Sequence, residues 1–569
     1  MNSLCSKNVG RYAFLLAIGI VCLLKTGIQA AAPLGRDVAA VYDPAKILAV
    51  KVAMDPKDWA RLRQQHPDRL GEMQGQVTNP EPYTYFKASV TINGESVSEI
   101  AVRKKGNLGS VVSTRPSLKL DFDEYDSKQR FRGLKGLTLN NNVQNGALLH
   151  QYLAYHLFRK AGLAAPLCNL AHVTVNGEDL GIYSNVEPIK KNLLKRHFGK
   201  GKGDLYESGG DFHRDAYRYF QKKNNRDSHE RPALKGVTEA LARSDAEVLP
   251  ALEKHLNLDA FYRFWALDVL IGDWDGFICN RNNAYLYRNP VDEKLNIIPW
   301  GLDSVFEDPG LYIVSEVPKS VKAVTILPRR LYSLEASRTR YLETVRELLS
   351  EVWDEEELKA LIEQAKALVK GKLHLPESYF LKELGLIETF IAGRRSAIEA
   401  ELNAGVPEWP SEGSRPAMSG GMLSAASQFE TTWQGAIGEF RSNDGGKGEL
   451  SLVMDGKTET LSKVFVQAGK ETLGPRIGYP LINVEGHSET FGPVGIYLYV
   501  DPFSYGKKQQ YPVDFYEVFG IMLRPRAGAF ELHSLSLMGF VFGQLSLDKS
   551  SETVGDTVSG GFQLQVILN

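Results

Sequence analysis

The sequence predicts an α+β domain followed by an all-β antiparallel sandwich, and three patterns support this assignment. In the first part of the chain short alternating strands are mixed with amphipathic helices, and residues 334–403 have helical periodicity throughout. Residues 404–424 are rich in Pro, Gly and Ser, which is typical of a linker. Beyond them, alternating runs recur between turn residues, as in a sandwich of roughly seven to nine strands.

The N-terminal residues have the features of an export signal. Lys7 and Arg11 precede an apolar, uncharged run at residues 12–24, and alanines follow at positions 30–32, where a signal peptidase can cleave. We expect a secreted, periplasmic or cell-envelope protein without a transmembrane domain in the mature chain, and an uncleaved N-terminal anchor is the alternative. The predicted organisation is a signal peptide (1–32), a mixed domain (33–403), a linker (404–424) and a β-sandwich (425–569).

The charge balance and the cysteines limit the function further. The 569 residues include 67 Lys and Arg and 68 Asp and Glu, which gives a formal net charge of −1. A chain without excess positive charge has no long-range field to gather nucleic acid, so we expect no nucleic-acid partner. Cys168 and Cys279 lie outside the signal and form either one disulfide or two buried free thiols.

Three segments contain the groups that phosphoryl transfer requires, and the first of them is rich in glycine. Phosphoryl transfer needs a cation for the phosphates, a carboxylate near the accepting hydroxyl, and ligands for a metal ion. Gly106 and Gly109 allow the backbone to approach an anion closely. Arg103 precedes these glycines, and Lys119, on the strand that follows them, can reach phosphates as a point charge.

The other two segments supply acids and an amide. Asp275 and Asn280 have the five-residue spacing of the Asp and Asn in protein-kinase catalytic loops, where the Asp accepts a proton and the Asn binds a metal. An apolar strand at residues 295–300 leads into Asp303, where a kinase has its main metal ligand. The order of the three segments fits a bilobal kinase, and an Asx-rich turn without metal is the alternative interpretation of the second segment.

Several runs between about residue 40 and residue 403 carry a family resemblance. They are VRKKGNLGS, RPSLKLDFDEY, FRGLKGLTLNN, LAYHLFRKAGLAAP, VTVNGEDLGIYSNVE, GDWDGFICNRNNAYLYRNP, IIPWGLD and FIAGRRSAIEAEL. In this order they resemble the CotH (spore coat protein H) kinase family. The resemblance implies an atypical, bilobal protein-kinase-like domain that uses ATP and Mg²⁺ or Mn²⁺ to phosphorylate Ser or Thr of extracytoplasmic proteins.

The resemblance also implies a role for individual residues. By motif, Lys119 would hold phosphates, Asp275 would be the catalytic acid/base, and Asn280 and Asp303 would bind metal. Glu187, which follows a predicted hairpin, would lie at the hinge beside adenine, where its backbone matters more than its carboxylate.

Two departures from the family pattern concern missing acids. The family tends to read PWDLD where residues 299–303 read PWGLD, so the binding of two metal ions is in doubt. The helix predicted at residues 148–161 has no acid to pair with Lys119 as a kinase helix Glu would. The alternative function is therefore a non-catalytic envelope or matrix protein on a kinase-like scaffold, whose sandwich contacts glycan or protein. The aromatic residues that either stack on sugar rings or pack in the sandwich core are Trp433, Tyr497, Tyr499 and Tyr505.

Overall fold

The structure is a computed structural model. It describes residues 35–107, 109–225, 228–307, 318–409, 422–437, 445–472, 474, 476–525 and 535–568. The predicted signal peptide and most of the predicted linker lie outside these residues. Helices and strands are mixed as far as residue 403, and the described residues after the predicted linker contain strands alone, so the architecture is mixed α/β.

Seven strands near the start of the chain form a closed barrel in the order β1-β2-β3-β4-β5-β7-β6. They are β1 (Leu48–Met54), β2 (Phe86–Ile92), β3 (Glu95–Lys105), β4 (Ser117–Asp121), β5 (Gly136–Asn140), β6 (Cys168–Val175) and β7 (Glu178–Val186). β1 and β6 pair in parallel, and the other neighbours are antiparallel. Alternate residues, such as Val50, Val102 and Leu120, fill the barrel interior. Helices α1 (Arg36–Val41), α2 (Pro56–Gln64) and α3 (Arg69–Met73) also belong to this part of the chain.

Two Asn-Gly pairs make the tight turns of the barrel. Asn93 and Gly94 have φ values of 48° and 89°, and Asn176 and Gly177 have φ values of 51° and 85°. Positive φ at both central residues is the geometry of a two-residue hairpin turn, which Asn-Gly adopts at low cost. Each Asn side chain also accepts a hydrogen bond from β1, at Ala49 N (2.8 Å) and Met54 N (2.9 Å). Asn-Gly between two alternating runs predicts a hairpin at both positions, and the structure confirms both.

A helical region packs around one apolar core. Its helices are α4 (His150–Lys160), α5 (Lys191–Phe198), α6 (Pro232–Leu241), α7 (Val248–Leu252), α8 (Leu258–Leu270), α9 (Phe277–Asn280), α10 (Ile326–Ser333), α11 (Glu335–Glu351), α12 (Glu355–Val369) and α13 (Glu377–Asn403). α8 lies at the centre, where Trp265 stacks on Tyr341 with ring centroids 3.6 Å apart. Trp409, in the predicted linker, also packs near Trp265, at 6.2 Å. The first residues of the predicted linker are therefore part of this core.

A small sheet within the helical region carries two of the segments singled out above. It has four strands in the order β11-β10-β8-β9. They are β8 (Leu205–Glu207), β9 (Gln221–Lys222), β10 (Ala284–Arg288) and β11 (Leu295–Pro299). The segment with Asp275 leads into β10, and Asp303 follows β11, so the hairpin brings both acids to one end of the sheet.

The two cysteines of the described chain are free and buried. Cys168 lies on β6 and Cys279 on α9. Burial raises the pKa of the Cys168 thiol to about 12. Of the two alternatives that the sequence leaves open, the structure confirms buried free thiols.

The C-terminal strands form one ten-stranded sheet. They are β12 (Met422–Ile437), β13 (Lys447–Met454), β14 (Lys457–Thr460), β15 (Ser462–Glu471), β16 (Pro480–Ser488), β17 (Gly492–Val500), β18 (Gln510–Val513), β19 (Val518–Pro525), β20 (Leu535–Lys549) and β21 (Thr557–Leu568). Seven of them close a ring, because each of β12, β15, β16, β17, β19, β20 and β21 pairs with the next and β21 pairs with β12.

The predicted two-sheet sandwich is not confirmed, since the described strands belong to one sheet that closes on itself. Alternation shows which residues face inward but does not show which strands pair. The sequence therefore predicts the individual strands but does not predict that the sheet closes into a ring. Trp433 and Tyr505 pack against each other inside the ring, with centroids 5.6 Å apart. Among the described residues, no helix has the length and apolar character needed to cross a membrane.

Candidate functional site

Three side chains on one outer face of the barrel form a row of cations. Arg103 pairs with Lys119 in the register of β3 and β4, and side chains on a strand alternate between faces. Arg103, Lys105 and Lys119 therefore share a face. The ring of Tyr85 lies under two of them, 5.4 Å from the Arg103 guanidinium and 5.6 Å from the Lys119 ammonium. This cationic face is the barrel's contribution to the site.

Lys105, which sequence reasoning missed, is the lysine of this row that faces an acid. Burial lowers the pKa of Lys105 to about 8, and the nearby charge of Asp303 acts in the opposite direction. The pKa of Lys119 is also lowered, mainly by burial and by Arg103, and the acids that oppose this shift are Asp121 and Glu124. Lys105 thus interacts with Asp303, and its ammonium lies 5.8 Å from the ring centroid of Trp300, which directly follows β11. The two-residue spacing of Arg103 and Lys105 on one strand was the signal available in the sequence.

An amide chain connects Lys105 to α4. The Lys105 ammonium donates to Asn140 Oδ1, and Asn140 Nδ2 donates to Gln151 Oε1 over 2.6 Å. Gln151 lies in the first turn of α4, the helix predicted at residues 148–161, where the sequence offers no acid. The helix therefore contacts the lysine through neutral amides in place of a carboxylate.

Asp275 and Asn280, predicted from their five-residue spacing, are in direct contact. Asn280 Nδ2 donates to Asp275 Oδ1 over 2.5 Å, and Asn283 Nδ2 donates to Asp275 Oδ2 over 2.9 Å. The contact arises because Asn280 ends α9 and the chain then turns back through left-handed residues, Arg281 (φ 59°) and Asn283 (φ 50°). Two amides thus orient both oxygens of one carboxylate.

Asp303 completes the cleft. Burial and then the charge of Asp275 raise the pKa of Asp303 to about 7, although Lys105 is near. Its backbone is fixed by Asn145, whose Nδ2 donates to the Asp303 carbonyl over 2.7 Å. A buried carboxyl group whose pKa is raised by a second carboxylate favours a cation beside it. The structure therefore brings Asp275, Asn280 and Asp303 together, with Lys105 as their cationic neighbour.

The donor set of the cleft fits Mg²⁺ or Mn²⁺. It consists of oxygens from Asp275, Asn280 and Asp303, as hard cations prefer. The raised pKa of Asp303 comes from burial and from the charge of Asp275, and a bound cation would lower it. Within the described residues, no three His, Cys, Asp or Glu side chains are grouped to hold a metal by themselves. The cleft therefore suits an ion that takes its remaining ligands from phosphate or water.

Gly301, where the family pattern has an acid, is tightly enclosed. Its φ is +59°, and a Cβ added there would lie 2.6 Å from Asn283 Oδ1. An acid at this position would need both a strained backbone and a displaced Asn283. The absence of a side chain at position 301 thus leaves room for Asn283, whose amide orients Asp275.

A buried pair of carboxyl groups lies beneath the Asp275 segment. Asp268 and Asp273 are both almost fully buried, and burial raises the pKa of each well above its usual range. The charge of Asp268 adds to the rise at Asp273, so both buried carboxyl groups favour the protonated form. A Cβ on Gly276 would lie 2.4 Å from Asp273 Oδ2, so this pair also explains the glycine after Asp275.

The predicted phosphate loop joins β3 and β4, and we call its described residues, 106, 107 and 109–116, the barrel loop. Gly106 (φ 123°) and Gly109 (φ 79°) adopt conformations that favour glycine, and a Cβ on Gly109 would lie 2.5 Å from Gln144 Nε2. Asn141 Nδ2 holds the loop at the carbonyl of Ser110 (2.9 Å). Residue 144 is the neighbour of Asn145, which binds the Asp303 backbone, so the loop borders the cleft.

The carboxylate of Glu187, predicted to lie at the adenine hinge, is engaged elsewhere. Arg196 Nη1 and Nη2 donate to its two oxygens over 2.7 and 2.5 Å, and Leu167 N donates to Oε2 over 3.1 Å. Glu187 N donates to the carbonyl of Leu167 over 2.8 Å. The acid therefore fixes the end of β7 to α5, and its side chain is committed to structure.

Comparison with known proteins identifies the family of the chain. A lysine, two carboxylates and an amide are the groups that phosphoryl transfer requires. Residues 102–394 match the family described as CotH kinase protein. This match covers more than half of the chain, so the chain belongs to the CotH kinase protein family.

Individual relatives are distant. The chain is 22% identical over 254 residues to the inner spore coat protein H of Bacillus subtilis, a match that covers 42% of this chain and 67% of that protein. It is 25% identical over 174 residues to the invasin CotH3 of Rhizopus delemar, covering 27% and 29%. A crystal structure of the Helicobacter pylori proinflammatory kinase CtkA aligns with 51% of this chain and 94% of its own at 12% identity and a TM-score of 0.27. A TM-score this low supports no conclusion about the fold.

The buried Glu187–Arg196 pair predicts a strong effect on stability. Arg196→Met leaves the Glu187 carboxylate buried without its cation, and the expected loss in free energy of unfolding is about 3–5 kcal/mol. Urea denaturation followed by circular dichroism measures it. The control is Arg132→Met, which removes an exposed ion pair with Glu95 and should leave the midpoint unchanged. Equal midpoints for the two variants would contradict the structural role of this pair.

The raised pKa of Asp303 predicts a pH-dependent metal affinity. A carboxyl with a pKa of about 7 is protonated below that pH, and the protonated form does not bind cations. Affinity for Mn²⁺ should therefore fall about 10-fold from pH 8 to pH 6, since one pKa unit is a tenfold change in protonation. Electron paramagnetic resonance of free Mn²⁺ measures this, and Asp303→Asn should abolish the pH-dependent binding. A wild-type affinity that stays constant over this range would show that Asp303 is not a ligand.

Proposed function

We propose that this protein is an atypical kinase that transfers phosphate from ATP to Ser or Thr of proteins outside the cytoplasm. One observation carries the proposal: the Lys105 ammonium of β3 lies 5.8 Å from the ring centroid of Trp300, three residues before Asp303, and the charges of Lys105 and Asp275 both act on Asp303. Phosphoryl transfer depends chiefly on positioning and on charge stabilisation, and this cleft offers both.

The barrel face would hold the triphosphate. Lys105 is nearest to the acids, and Lys119 and Arg103 continue the cationic row along β3 and β4. The positive-φ glycines of the barrel loop, Gly106 and Gly109, leave the backbone open to close approach by phosphate oxygens. Together these groups fit a polyanion that extends from the loop to Asp303.

The acids and amides would act on the hydroxyl and the metal. Asp275 is held by Asn280 and Asn283 in a fixed orientation, which suits a group that accepts the proton of an incoming Ser or Thr hydroxyl. Asn280 and Asp303 would hold Mg²⁺ or Mn²⁺. When bound, the ion neutralises charge on the phosphates.

The location and the substrate class rest on sequence. The export signal predicted at residues 1–32 supports secretion or a periplasmic or envelope location. Relatives named as a spore coat protein and an invasin fit this location. Contact with glycan or protein through the C-terminal sheet stays a prediction, and the aromatic residues Trp433, Tyr497, Tyr499 and Tyr505 are buried, so they are not a ready surface for sugar rings.

One observation favours a second function, a non-catalytic envelope or matrix protein. Gly301 replaces an acid of the family pattern, and Asn283 fills the space where that acid would lie. Such a protein would keep the cleft as a scaffold and contact its partners elsewhere.

Asp275→Asn tests the proposed function. Loss of the acid that accepts the hydroxyl proton should slow phosphate transfer on the order of 100-fold or more. The purified protein is incubated with labelled ATP and Mg²⁺ or Mn²⁺, and phosphosites are identified by mass spectrometry. The matched control is Asp292→Asn, an exposed acid on the turn between β10 and β11, which should retain the wild-type rate.

Two outcomes would contradict the proposal in different ways. Equal rates for Asp275→Asn and wild type would remove Asp275 from the mechanism. A wild-type protein that binds ATP but transfers no phosphate would favour the non-catalytic scaffold.

A further inference from the structure

The C-terminal sheet has one region that is buried on both of its faces. In β12 the residues alternate between buried and exposed, as expected for a sheet with one face in solvent. β16 and β17 instead are buried at nearly every position, including the outward-facing Tyr497 and Tyr499, which are 8% and 7% exposed. Some other part of the molecule must therefore cover this outer face.

The barrel loop is part of that cover. Val112 lies in one apolar cluster with Tyr479, Leu481, Tyr497 and Tyr499 of the C-terminal sheet. Its neighbour in the chain, Val111, joins a second cluster, whose members from the C-terminal sheet region are Phe515, Tyr516 and Phe542. Two consecutive valines of the loop thus insert into two apolar clusters of the C-terminal sheet.

A hydrogen-bonded residue fixes the loop beside these valines. Ser113 N donates to the hydroxyl of Tyr479 over 3.1 Å, and Ser113 Oγ lies 3.3 Å from the same oxygen. On the other side, Arg63 Nε donates to the carbonyl of Ser113 over 2.8 Å. The Arg63 guanidinium also lies 4.5 Å from the centroid of the Phe503 ring. Ser113 is therefore bound from one side by α2 and from the other by Tyr479 of the C-terminal region.

These contacts matter because the same loop carries the glycines of the candidate phosphate site. Gly106 and Gly109 have much conformational freedom to lose when a ligand orders them. A loop that is already held at Val111, Val112 and Ser113 has lost part of that freedom before the ligand arrives. Preorganisation of this kind raises affinity without any new contact to the ligand.

We propose that the C-terminal sheet supports the nucleotide site. Tyr479 is the positioning residue, because it holds the barrel loop in the conformation that binds phosphate. This inference rests on the proposed function, because it assigns a role in ATP binding to a contact far from the acids. Tyr479 acts through Ser113 and the loop backbone and does not touch the substrate.

The test compares two conservative variants of the full chain. Tyr479→Phe removes only the hydroxyl that meets Ser113. Tyr505→Phe is the matched control, because Tyr505 is also a buried tyrosine of the C-terminal sheet, but it packs on Trp433 inside the ring and its hydroxyl donates to the Ser551 carbonyl. Val112→Ala loosens the same contact from the barrel side and serves as a second variant.

Hydrogen exchange of the ATP-free protein gives the first measurement. Amides of residues 110–115 should exchange about 10-fold faster in Tyr479→Phe, as expected when a buried amide loses its partner. Val112→Ala should show the same local change, and Tyr505→Phe should match wild type in this segment. Unchanged exchange in both Tyr479→Phe and Val112→Ala would overturn the inference.

Steady-state kinetics gives the second measurement. A positioning role predicts that Tyr479→Phe raises the KM for ATP about 10-fold with little change in kcat, since the loop is disordered only before binding. Faster exchange with an unchanged KM would show a structural contact without a role in binding and would contradict the proposal. A wild-type protein that neither binds nor uses ATP would contradict the proposed function, and the exchange data would still decide whether Tyr479 holds the loop.

Discussion

The electrostatic attraction between the charges of Lys105 and Asp303 is the interaction on which the site depends. Lys105 comes from β3 of the barrel, and Asp303 follows β11 in the helical region, almost two hundred residues later. Burial works against both charges, since it lowers the pKa of Lys105 to about 8 and raises that of Asp303 to about 7. Each ion favours the charged form of the other. Both groups therefore stay charged only while the barrel and the helical region remain packed together.

Neutral amide side chains around Lys105 and Asp303 orient these two residues through hydrogen bonds. Asn140 and Gln151 connect Lys105 to α4, and Asn145 binds the backbone of Asp303. Asn280 and Asn283 do the same for Asp275. Amides can orient a charged group without adding charge of their own. The amides therefore fix the geometry of the charged groups and leave the net charge of the site unchanged.

The sequence predicts local structure well here because short-range chemistry determines it. The Asn-Gly hairpins follow from positive φ at two adjacent residues, and the contact between Asp275 and Asn280 follows from their spacing. Both features involve residues close together in the chain, and tertiary packing did not override them.

Features that depend on long-range packing were missed or remained open. The sequence predicts that Lys119 holds phosphates, and this stays a prediction. That Lys105 also interacts with Asp303 depends on how the barrel packs near the end of β11, which no local pattern shows. The C-terminal strands were expected in two sheets, but the pairing of β12 with β21 closes one sheet. The burial of Val112 under this sheet has no local signal at all.

The most direct test of the central contact is affinity labelling of the full chain with an acyl-phosphate derivative of ATP, which acylates a lysine beside the bound phosphates. The expected result is modification of Lys105 ahead of Lys119, suppressed by excess ATP and reduced in Asp303→Asn. Labelling confined to lysines outside the barrel face, or unaffected by ATP, would contradict a nucleotide site between Lys105 and Asp303.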